Sequence, residues 1–419
     1  MFKSLVYSLI TKGTVAIINF VILVVSSRYL GVSSRGEISI FILNITLIQI
    51  LNEVYTGYSI VHFIPKFNFR SLVIFGFCYT LIFCSLSNLL VCFLNKQVPG
   101  YEWLGYVISL LVVLNTFNCV LILGRENIAA YNLLSFVQPF LLLIGIGVSV
   151  FLFKKFTFVS YVYPLSISFS TAFIISSAIV SGFFKKEDYF NRTFRLRPIL
   201  ANGLIFQSAT LMYIFVNRYS YYLLPDIAKV GLYSSASSLM EALLIITNSI
   251  SPILLARVSN QGNTLKSVDM TLALSKASVL FSVVFVFIVC MLPGSFFVFI
   301  LGEGFSGIKD LMIVYAPGIL MVSFFGTMSY YYSAIGKQKL VLACYSLGFS
   351  ATLVLAPVLI GKFGSKGAAY SAGISYFLMG FAICSTFIVI NKLSLKRFFS
   401  VQTDYKNLRE LMSPPGHYY

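Results

Sequence analysis

Several ionisable side chains stand inside long apolar runs of this sequence. Glu53 and Glu241 are the most central acidic residues, while Lys12, Arg28 and Arg218 lie within such runs or at their ends. An ionisable group inside a membrane span is energetically costly and is a candidate functional residue by default. A carboxylate there can hold a cation, a proton or a basic side chain. These residues therefore predict a polar site within a membrane.

The composition indicates that the elements around this site are membrane-spanning helices. Apolar residues make up 58% of the 419 residues, and only 10% are charged, whereas an ordinary soluble domain has about 25% charged residues. A span needs roughly 20 mostly apolar residues, so twelve spans would use about 240. We therefore predict an all-α polytopic membrane protein. The same composition excludes a soluble enzyme, a nucleic-acid binder and a disordered chain.

Hydrophobic runs predict twelve spans and two halves. The spans fall at about 8–28, 38–61, 71–94, 103–123, 128–153, 158–182, 199–223, 232–256, 272–300, 310–335, 339–361 and 367–390. The longest polar interruption is basic and lies near the middle of the chain. The predicted domains are an N-terminal six-helix bundle at 1–184, a basic cytoplasmic linker at 185–198, a C-terminal six-helix bundle at 199–390 and a cytoplasmic tail at 391–419.

The distribution of basic residues predicts the orientation in the membrane. The sequence has 30 Lys and Arg against 13 Asp and Glu. When alternate loops are assigned to opposite sides, the side that holds both termini collects roughly twice as many basic residues, and cytoplasmic loops are the ones that accumulate Lys and Arg. We therefore predict that both termini are cytoplasmic. In this assignment Arg35 lies in the loop between the first two spans.

The two halves of the chain share short matching segments. Gly36–Ser39 opens the second span and Gly231–Ser234 opens the eighth, and two further pairs match in the same order, Leu123–Glu126 with Ile335–Gln338 and Lys155-Phe156 with Lys362-Phe363. A six-plus-six repeat is a transporter architecture with its substrate site between the halves. The alternative is that glycine with a basic residue simply ends many helices.

No pattern typical of catalysis or metal binding stands out. The seven cysteines lie in hydrophobic stretches and form no CxxC pair, so we interpret them as packing residues. There are two histidines, His62 and His417, and no Ser/His/Asp arrangement or DxD-type acidic pair. We expect no metal, no cofactor and no enzymatic activity.

An ordered set of motifs resembles the bacterial polysaccharide flippases. The set comprises Ser27–Gly31 with Gly36, Ala228–Ala236, Gly302–Phe305, Ala316–Gly318, Gly336-Lys337 and Gly367–Tyr370. The resemblance covers about residues 8 to 390. It is to the O-antigen and capsule-repeat flippases, whose superfamily also holds multidrug and toxin extrusion transporters and the lipid II flippase. Members often carry an acidic residue just before the basic one late in the seventh span, where this chain has Asn217-Arg218.

The resemblance implies transfer of an oligosaccharide linked to undecaprenyl pyrophosphate. Movement would be from the cytoplasmic to the periplasmic leaflet of the bacterial inner membrane, by alternating access between two six-helix bundles of the multidrug and toxin extrusion type. Membrane lipid, a polysaccharide polymerase and a chain-length regulator are the implied partners. A sugar hydroxyl moved into hydrocarbon without a partner costs roughly 2–7 kcal/mol, so transfer needs a hydrated chamber.

Within this interpretation the candidate substrate-binding residues have distinct roles. Arg218, with Asn217 and Tyr221 beside it, would contact pyrophosphate or sugar, because the guanidinium fork matches phosphate oxygens. Glu241 and Glu53 would hold a cation, a proton or a basic side chain. Arg28 and Lys12 would meet the anionic headgroup.

Each of these roles has a structural alternative. The basic side chains can snorkel to the interface, and the tyrosines near Arg218 and at 330–332 can form an aromatic belt. Glu241 can bond a neighbouring span. A cation-coupled multidrug exporter of the same fold and a membrane polysaccharide polymerase also stay open. The mixture of acidic and basic residues disfavours the exporter, and the short predicted periplasmic loops disfavour the polymerase.

Overall fold

The computed structural model describes most of the chain. The residues outside the description are 1, 58–59, 62, 65–66, 95–97, 153, 155–156, 185–194, 246, 249–250, 252–253, 256–257, 259–263 and 400–419, together with the side chains of 2–9, 395 and 399. His62, His417 and most of the predicted linker and tail therefore lie outside the described residues.

Helices form all the regular structure within the described ranges. The long helices are α1 (Phe2–Thr56), α2 (Phe69–Phe93), α3 (Glu102–Gly124), α4 (Ile128–Gly147), α5 (Val159–Phe184), α6 (Leu196–Arg218), α8 (Ile227–Glu241), α9 (Leu265–Met291), α11 (Ile308–Ala334), α12 (Gln338–Phe363) and α13 (Ser365–Ile390). The short helices are α7 (Ser220–Leu223), α10 (Gly294–Leu301) and α14 (Leu395–Phe399). A π turn, Val148–Leu152, follows α4, and 3₁₀ turns lie at Ala242–Leu244 and Glu303–Phe305.

Ten of the helices in the described part of the chain are long and apolar enough to cross a membrane. The first supplies two predicted spans, because the 55 residues of α1 would extend about 80 Å at 1.5 Å per residue, against a hydrocarbon core of about 30 Å. The two limbs of α1 meet at Gly31, whose φ of 81° and ψ of 172° are essentially restricted to glycine.

The predicted loop between the first two spans is wrong in one respect. Arg35 lies within helix α1 and is 8% exposed, with Nη1 3.4 Å from the Ser26 hydroxyl to which it donates. The helix resumes directly after the single break at Gly31, so no separate loop is needed to connect the limbs. Arg35 is therefore a buried cation that the sequence interpretation placed in a loop.

The predicted ninth span, 272–300, is also divided. Helix α9 ends at Met291, and Leu292 has a ψ of 135°. Pro293 disfavours the helical conformation at the residue before it, so Leu292 is extended and the chain begins a new helix, α10, at Gly294.

The chain forms two compact units. The first contains Met1–Leu211, Tyr221–Ser235 and Phe297–Ser306, and the second contains Met212–Ser220, Ala236–Phe296 and Gly307–Tyr419. In the first unit α1 packs on α2, α3 and α4, and α5 packs on α3 and α4. In the second unit α13 packs on α11 and α12, and α9 packs on α11. The bundle and linker boundaries inferred from the sequence remain a prediction.

Apolar side chains that face outward indicate the solvent of this fold. Leu89, Phe93, Phe287, Val354 and Val389 are between 61% and 84% exposed. A soluble protein rarely leaves so many large apolar groups in contiguous patches, whereas a bilayer solvates them. The architecture is that of a polytopic helical membrane protein.

The matched segments Gly36–Ser39 and Gly231–Ser234 contact each other within the first unit. A Cβ at Gly36 would lie 2.0 Å from the Ile227 carbonyl oxygen, and a Cβ at Gly231 would lie 1.9 Å from the Val32 carbonyl oxygen. The hydroxyls of Ser39 and Ser234 are hydrogen-bonded at 2.7 Å. Each glycine thus lies directly on the backbone of the other helix, and we refer to this contact of α1 with α8 as the glycine crossing.

Candidate functional site

Three of the predicted site residues meet in the second unit. Arg218 Nη2 donates to Glu241 Oε2 at 2.7 Å, and the Asn217 amide donates to Glu241 Oε1. Both carboxylate oxygens therefore have a donor. The Arg218 and Glu241 side chains are 27% and 28% exposed, so the pair is accessible from outside the protein although it lies between helices.

Helix ends position this ion pair. Asn217 and Arg218 form the last turn of α6, where a cation is favoured by the partial negative charge of the helix terminus. Glu241 is the last residue of α8, directly before the 3₁₀ turn Ala242–Leu244. A 3₁₀ segment inside a helical run often marks a hinge or a strained site. The ion pair therefore connects the end of α6 to the point where α8 changes into a 3₁₀ turn.

Tyr213 connects the ion pair to a group of tyrosine side chains. Tyr213 lies one turn before Asn217 on α6 and is close to Glu241 and Arg218. The centroid of its ring is 5.7 Å from that of Tyr345 and 5.8 Å from that of Tyr376. The Tyr345 hydroxyl donates to Ser329 at 3.2 Å. These rings, with Tyr330 beside Tyr213, form what we term the tyrosine cluster, Tyr213, Tyr330, Tyr345 and Tyr376. Tyrosine combines an apolar ring face with a hydroxyl that donates and accepts.

Part of the predicted aromatic belt is buried packing instead. Tyr331 and Tyr332 are fully buried. Their hydroxyls donate to Asn391 at 2.9 Å and to Thr386 at 3.3 Å. Both rings face helix α13 because the polar groups there give the hydroxyls partners away from water. These two tyrosines therefore do not face outward as members of an aromatic belt would.

Glu53 lies in the first unit with amide partners. Gln49 donates to Oε1 at 2.8 Å and Gln207 donates to Oε2 at 3.3 Å. Among the residues that the structure describes, Glu53 makes no ion pair. A carboxylate held only by neutral donors can bind a proton or a cation without displacing a basic side chain.

Close helix packing brings Gln207 to Glu53. A Cβ at Gly203 would lie 1.8 Å from the carbonyl oxygen of Val54, so only glycine allows α6 to approach α1 at this point. Gln207 follows Gly203 by one turn, on the same face of α6, and is 3% exposed. The pattern Gln49-x-x-x-Glu53 was visible in the sequence, whereas the distant partner Gln207 was not.

The remaining predicted residues are placed elsewhere. Arg28 is exposed, donates to the Phe299 carbonyl oxygen and has its guanidinium 5.4 Å from the Phe299 ring centroid. Tyr221 is 1% exposed and packs edge-on against Tyr233 at 5.8 Å. Lys12 is half-buried on the first limb of α1. None of the contacts described for these three side chains is with Glu241.

Among the described residues, no three His, Cys, Asp or Glu side chains converge. These residues therefore form no candidate metal site. The cysteines at 78, 84, 92, 119, 290, 344 and 384 are all free. The chemistry available at the two acidic sites is therefore ion pairing, hydrogen bonding and aromatic contact.

Comparison with solved structures identifies the fold. The lipid II flippase MurJ in an inward closed conformation matches 98% of this chain and 90% of its own, with a TM-score of 0.68 and 16% identity. A mutant of the Vibrio cholerae MATE transporter VcmN matches 95% of this chain and 98% of its own, with a TM-score of 0.67 and 13% identity. An inward-facing multidrug resistance MATE transporter of the MOP superfamily matches 92% of this chain and 98% of its own, with a TM-score of 0.68 and 14% identity.

These similarities define the class of protein by its fold. The chain has the polytopic helical fold that MurJ and the MATE transporters share. No protein-family profile matches the sequence, and no curated protein matches it either. At such low identity the shared fold does not carry over a substrate.

Proposed function

We propose that this chain is a flippase for an oligosaccharide linked to undecaprenyl pyrophosphate, an O-antigen or capsule repeat unit. It would move this lipid from the cytoplasmic to the periplasmic leaflet of the bacterial inner membrane by alternating access, with both termini in the cytoplasm. A polysaccharide polymerase with its chain-length regulator would consume the product. The proposal is supported by the flippase motifs of the sequence and by the fold shared with MurJ.

The observation that carries the proposal is the Arg218–Glu241 pair beside the tyrosine cluster. Arg218 is charge-compensated by Glu241 when no ligand is bound, which avoids an isolated charge among helices. A pyrophosphate offers the guanidinium the same two-oxygen geometry as the carboxylate. The substrate can therefore replace Glu241 on Arg218, and the released carboxylate is free to take up a proton or a cation.

The charge of the substrate gives the direction of transport. An inside-negative membrane potential favours outward movement of an anion by about 2.3 kcal/mol per charge per 100 mV. The partly exposed members of the tyrosine cluster, Tyr213, Tyr330 and Tyr345, supply ring faces and hydroxyls for the sugars that follow the pyrophosphate. The repeat unit would thus be bound by its charge at Arg218 and by its hydroxyls around it.

A reconstituted flipping assay tests the proposed function. The purified chain is placed in proteoliposomes with a fluorescent undecaprenyl-pyrophosphate oligosaccharide, and a membrane-impermeant quencher reports the fraction in the outer leaflet. We expect the protein to equilibrate the lipid between leaflets within minutes, while empty liposomes keep the initial asymmetry. Equal rates with and without the protein would contradict the proposal.

A second candidate function is cation-coupled multidrug export, and the surroundings of Glu53 favour it. Neutral amides hold this carboxylate on both oxygens, which suits binding of a coupling ion. Ethidium transport in the same proteoliposomes distinguishes the two functions. We expect no ethidium movement, and ethidium export driven by a proton or sodium gradient would support the exporter instead.

Replacing Glu53 by Gln tests whether this residue couples transport to an ion. We expect the wild-type flipping rate to increase with an imposed proton or sodium gradient and the E53Q rate to be independent of it, because the neutral amide cannot take up the ion. The double variant E53Q/Q207E returns a carboxylate to the same contact and should recover part of the dependence. Full gradient dependence in E53Q would exclude Glu53 as the coupling group.

A further inference from the structure

A polar cavity lies inside the first unit, and neither Glu53 nor Glu241 is among its described lining residues. It has a volume of about 180 Å³ and is formed by helices α3, α4 and α5. Its lining includes amides, hydroxyls and aromatic rings, on Asn115, Thr116, Tyr131, Ser135, Gln138 and Phe169. Among the described residues that line it, none is Asp, Glu, Lys or Arg.

Helix α4 turns this polar face away from lipid. Tyr131, Ser135 and Gln138 follow one another at intervals of four and three residues, which places them on one face. The exposed apolar residues of α4, Leu133, Phe140 and Ile144, lie roughly 180° around the helix axis at 3.6 residues per turn. The cavity therefore lies on the polar side of α4, opposite its exposed apolar face.

The polar lining is held in place and keeps hydrogen-bonding capacity. Gln138 donates to the buried Ser168 at 3.3 Å, and Gln49 donates to Thr116 at 3.5 Å. Asn115 is 7% exposed, and its Oδ1 has no hydrogen-bond partner among the described residues. A buried amide oxygen without a partner is uncommon, and it leaves this polar lining incompletely satisfied.

The chemistry of the lining selects an uncharged ligand rich in hydroxyls. A pyrophosphate would find no cation among the described lining residues, and a hydrocarbon tail would leave the amides unsatisfied. A hydroxyl both donates and accepts, as amide and hydroxyl side chains require. The volume corresponds to roughly six to twelve water molecules, which is space for one sugar ring and not for a whole repeat unit.

We propose that this cavity is the subsite for one uncharged sugar residue of the lipid-linked oligosaccharide. The inference rests on the proposed function and adds to it binding residues other than Arg218 and Glu241. Gln138 and Asn115 bind the sugar hydroxyls, and Phe169 and Tyr131 provide apolar ring faces. Discrimination among repeat units therefore occurs at this cavity, while the pyrophosphate is recognised by charge.

Paired ligands test the subsite in the full chain, reconstituted in lipid nanodiscs. One ligand is a short prenyl pyrophosphate, and the others are the same molecule carrying one glucose or one N-acetylglucosamine. Calorimetric titration gives a Kd for each. We expect at least one sugar-bearing ligand to bind wild type about tenfold more tightly than the plain pyrophosphate. We expect Q138L, and S135F, which fills the cavity, to bind all three ligands alike.

Asn132→Leu serves as the matched control. Asn132 is a buried amide on the same helix and does not line the cavity, so N132L should keep the preference for the sugar. Unchanged binding of the plain pyrophosphate shows that a variant is folded. Full sugar preference in Q138L and S135F, or no sugar preference in wild type, would overturn the subsite and leave the proposed function standing. A wild type that binds none of the three ligands and flips no lipid would overturn both.

Discussion

Replacing Arg218 by Glu is expected to abolish surface polysaccharide while leaving the protein inserted in the membrane. The variant places two carboxylates where Arg218 now bonds Glu241 at 2.7 Å. Two like charges 4 Å apart repel by about 4 kcal/mol at an effective dielectric constant near 20, and each 1.4 kcal/mol is about a tenfold change. We therefore expect the flipping rate to fall by at least about 100-fold, measured in proteoliposomes and by surface polymer in cells.

Control variants separate the role of Arg218 in binding from its role in folding. Arg197 is exposed on the first turn of the same helix, so R197E changes the same charge and should leave transport unchanged. R218K keeps the charge without the guanidinium fork and should retain about a tenth of the rate. The exchange R218E/E241R restores an ion pair and should recover thermal stability more fully than transport. Normal surface polysaccharide in R218E would remove Arg218 from the substrate site.

Replacing Gly231 by Ala is expected to disrupt the glycine crossing of α1 and α8. The added Cβ would lie 1.9 Å from the Val32 carbonyl oxygen, whereas carbon–oxygen contacts normally require about 3.3 Å or more. The helices must therefore separate, and overpacking of this kind typically costs about 1–3 kcal/mol. We expect G231A to lower the Tm of the purified protein by several degrees and its flipping rate by about tenfold.

A second glycine provides the comparison for G231A. Gly361 lies within α12, and a Cβ there would meet nothing within 4 Å. G361A should be neutral or slightly stabilising, because alanine is favoured over glycine in a helix by up to about 1 kcal/mol. Since Gly36 and Gly231 share one contact, G36A added to G231A should cost less than the two changes separately. Equal Tm and flipping rate in G231A and G361A would show that the crossing is unimportant.

The matched segments illustrate how far the sequence leads. The resemblance of Gly36–Ser39 to Gly231–Ser234 predicts two related helices and gives no reason for them to touch. In the structure each glycine lies on the other helix and the two serines are hydrogen-bonded. Arg35 shows the reverse case, because a polar residue after a span resembles a loop residue, while the fold continues the helix through it and buries it.

In the candidate site, too, the sequence indicated single residues and the structure supplied their partners. Glu53, Arg218 and Glu241 were recognisable as charges within apolar runs. Arg218 and Glu241 are separated by the short helix α7 and by the length of α8, and Gln207 is distant from Glu53 along the chain. Helical periodicity therefore relates neither pair. The polar cavity was unpredictable for this reason too, since its amides come from separate helices, α3 and α4.

By itself the sequence determined that this protein is built of membrane-spanning helices and where most of them lie. The reason is that a bilayer requires long apolar runs with few charges. The sequence also singled out Glu53, Arg218 and Glu241 as ionic groups within apolar runs, where each is costly. Only the tertiary structure decided which groups neutralise one another and where helices approach closely enough to need glycine. Those outcomes depend on contacts across helices, which the packing of side chains fixes and the spacing along one helix does not encode.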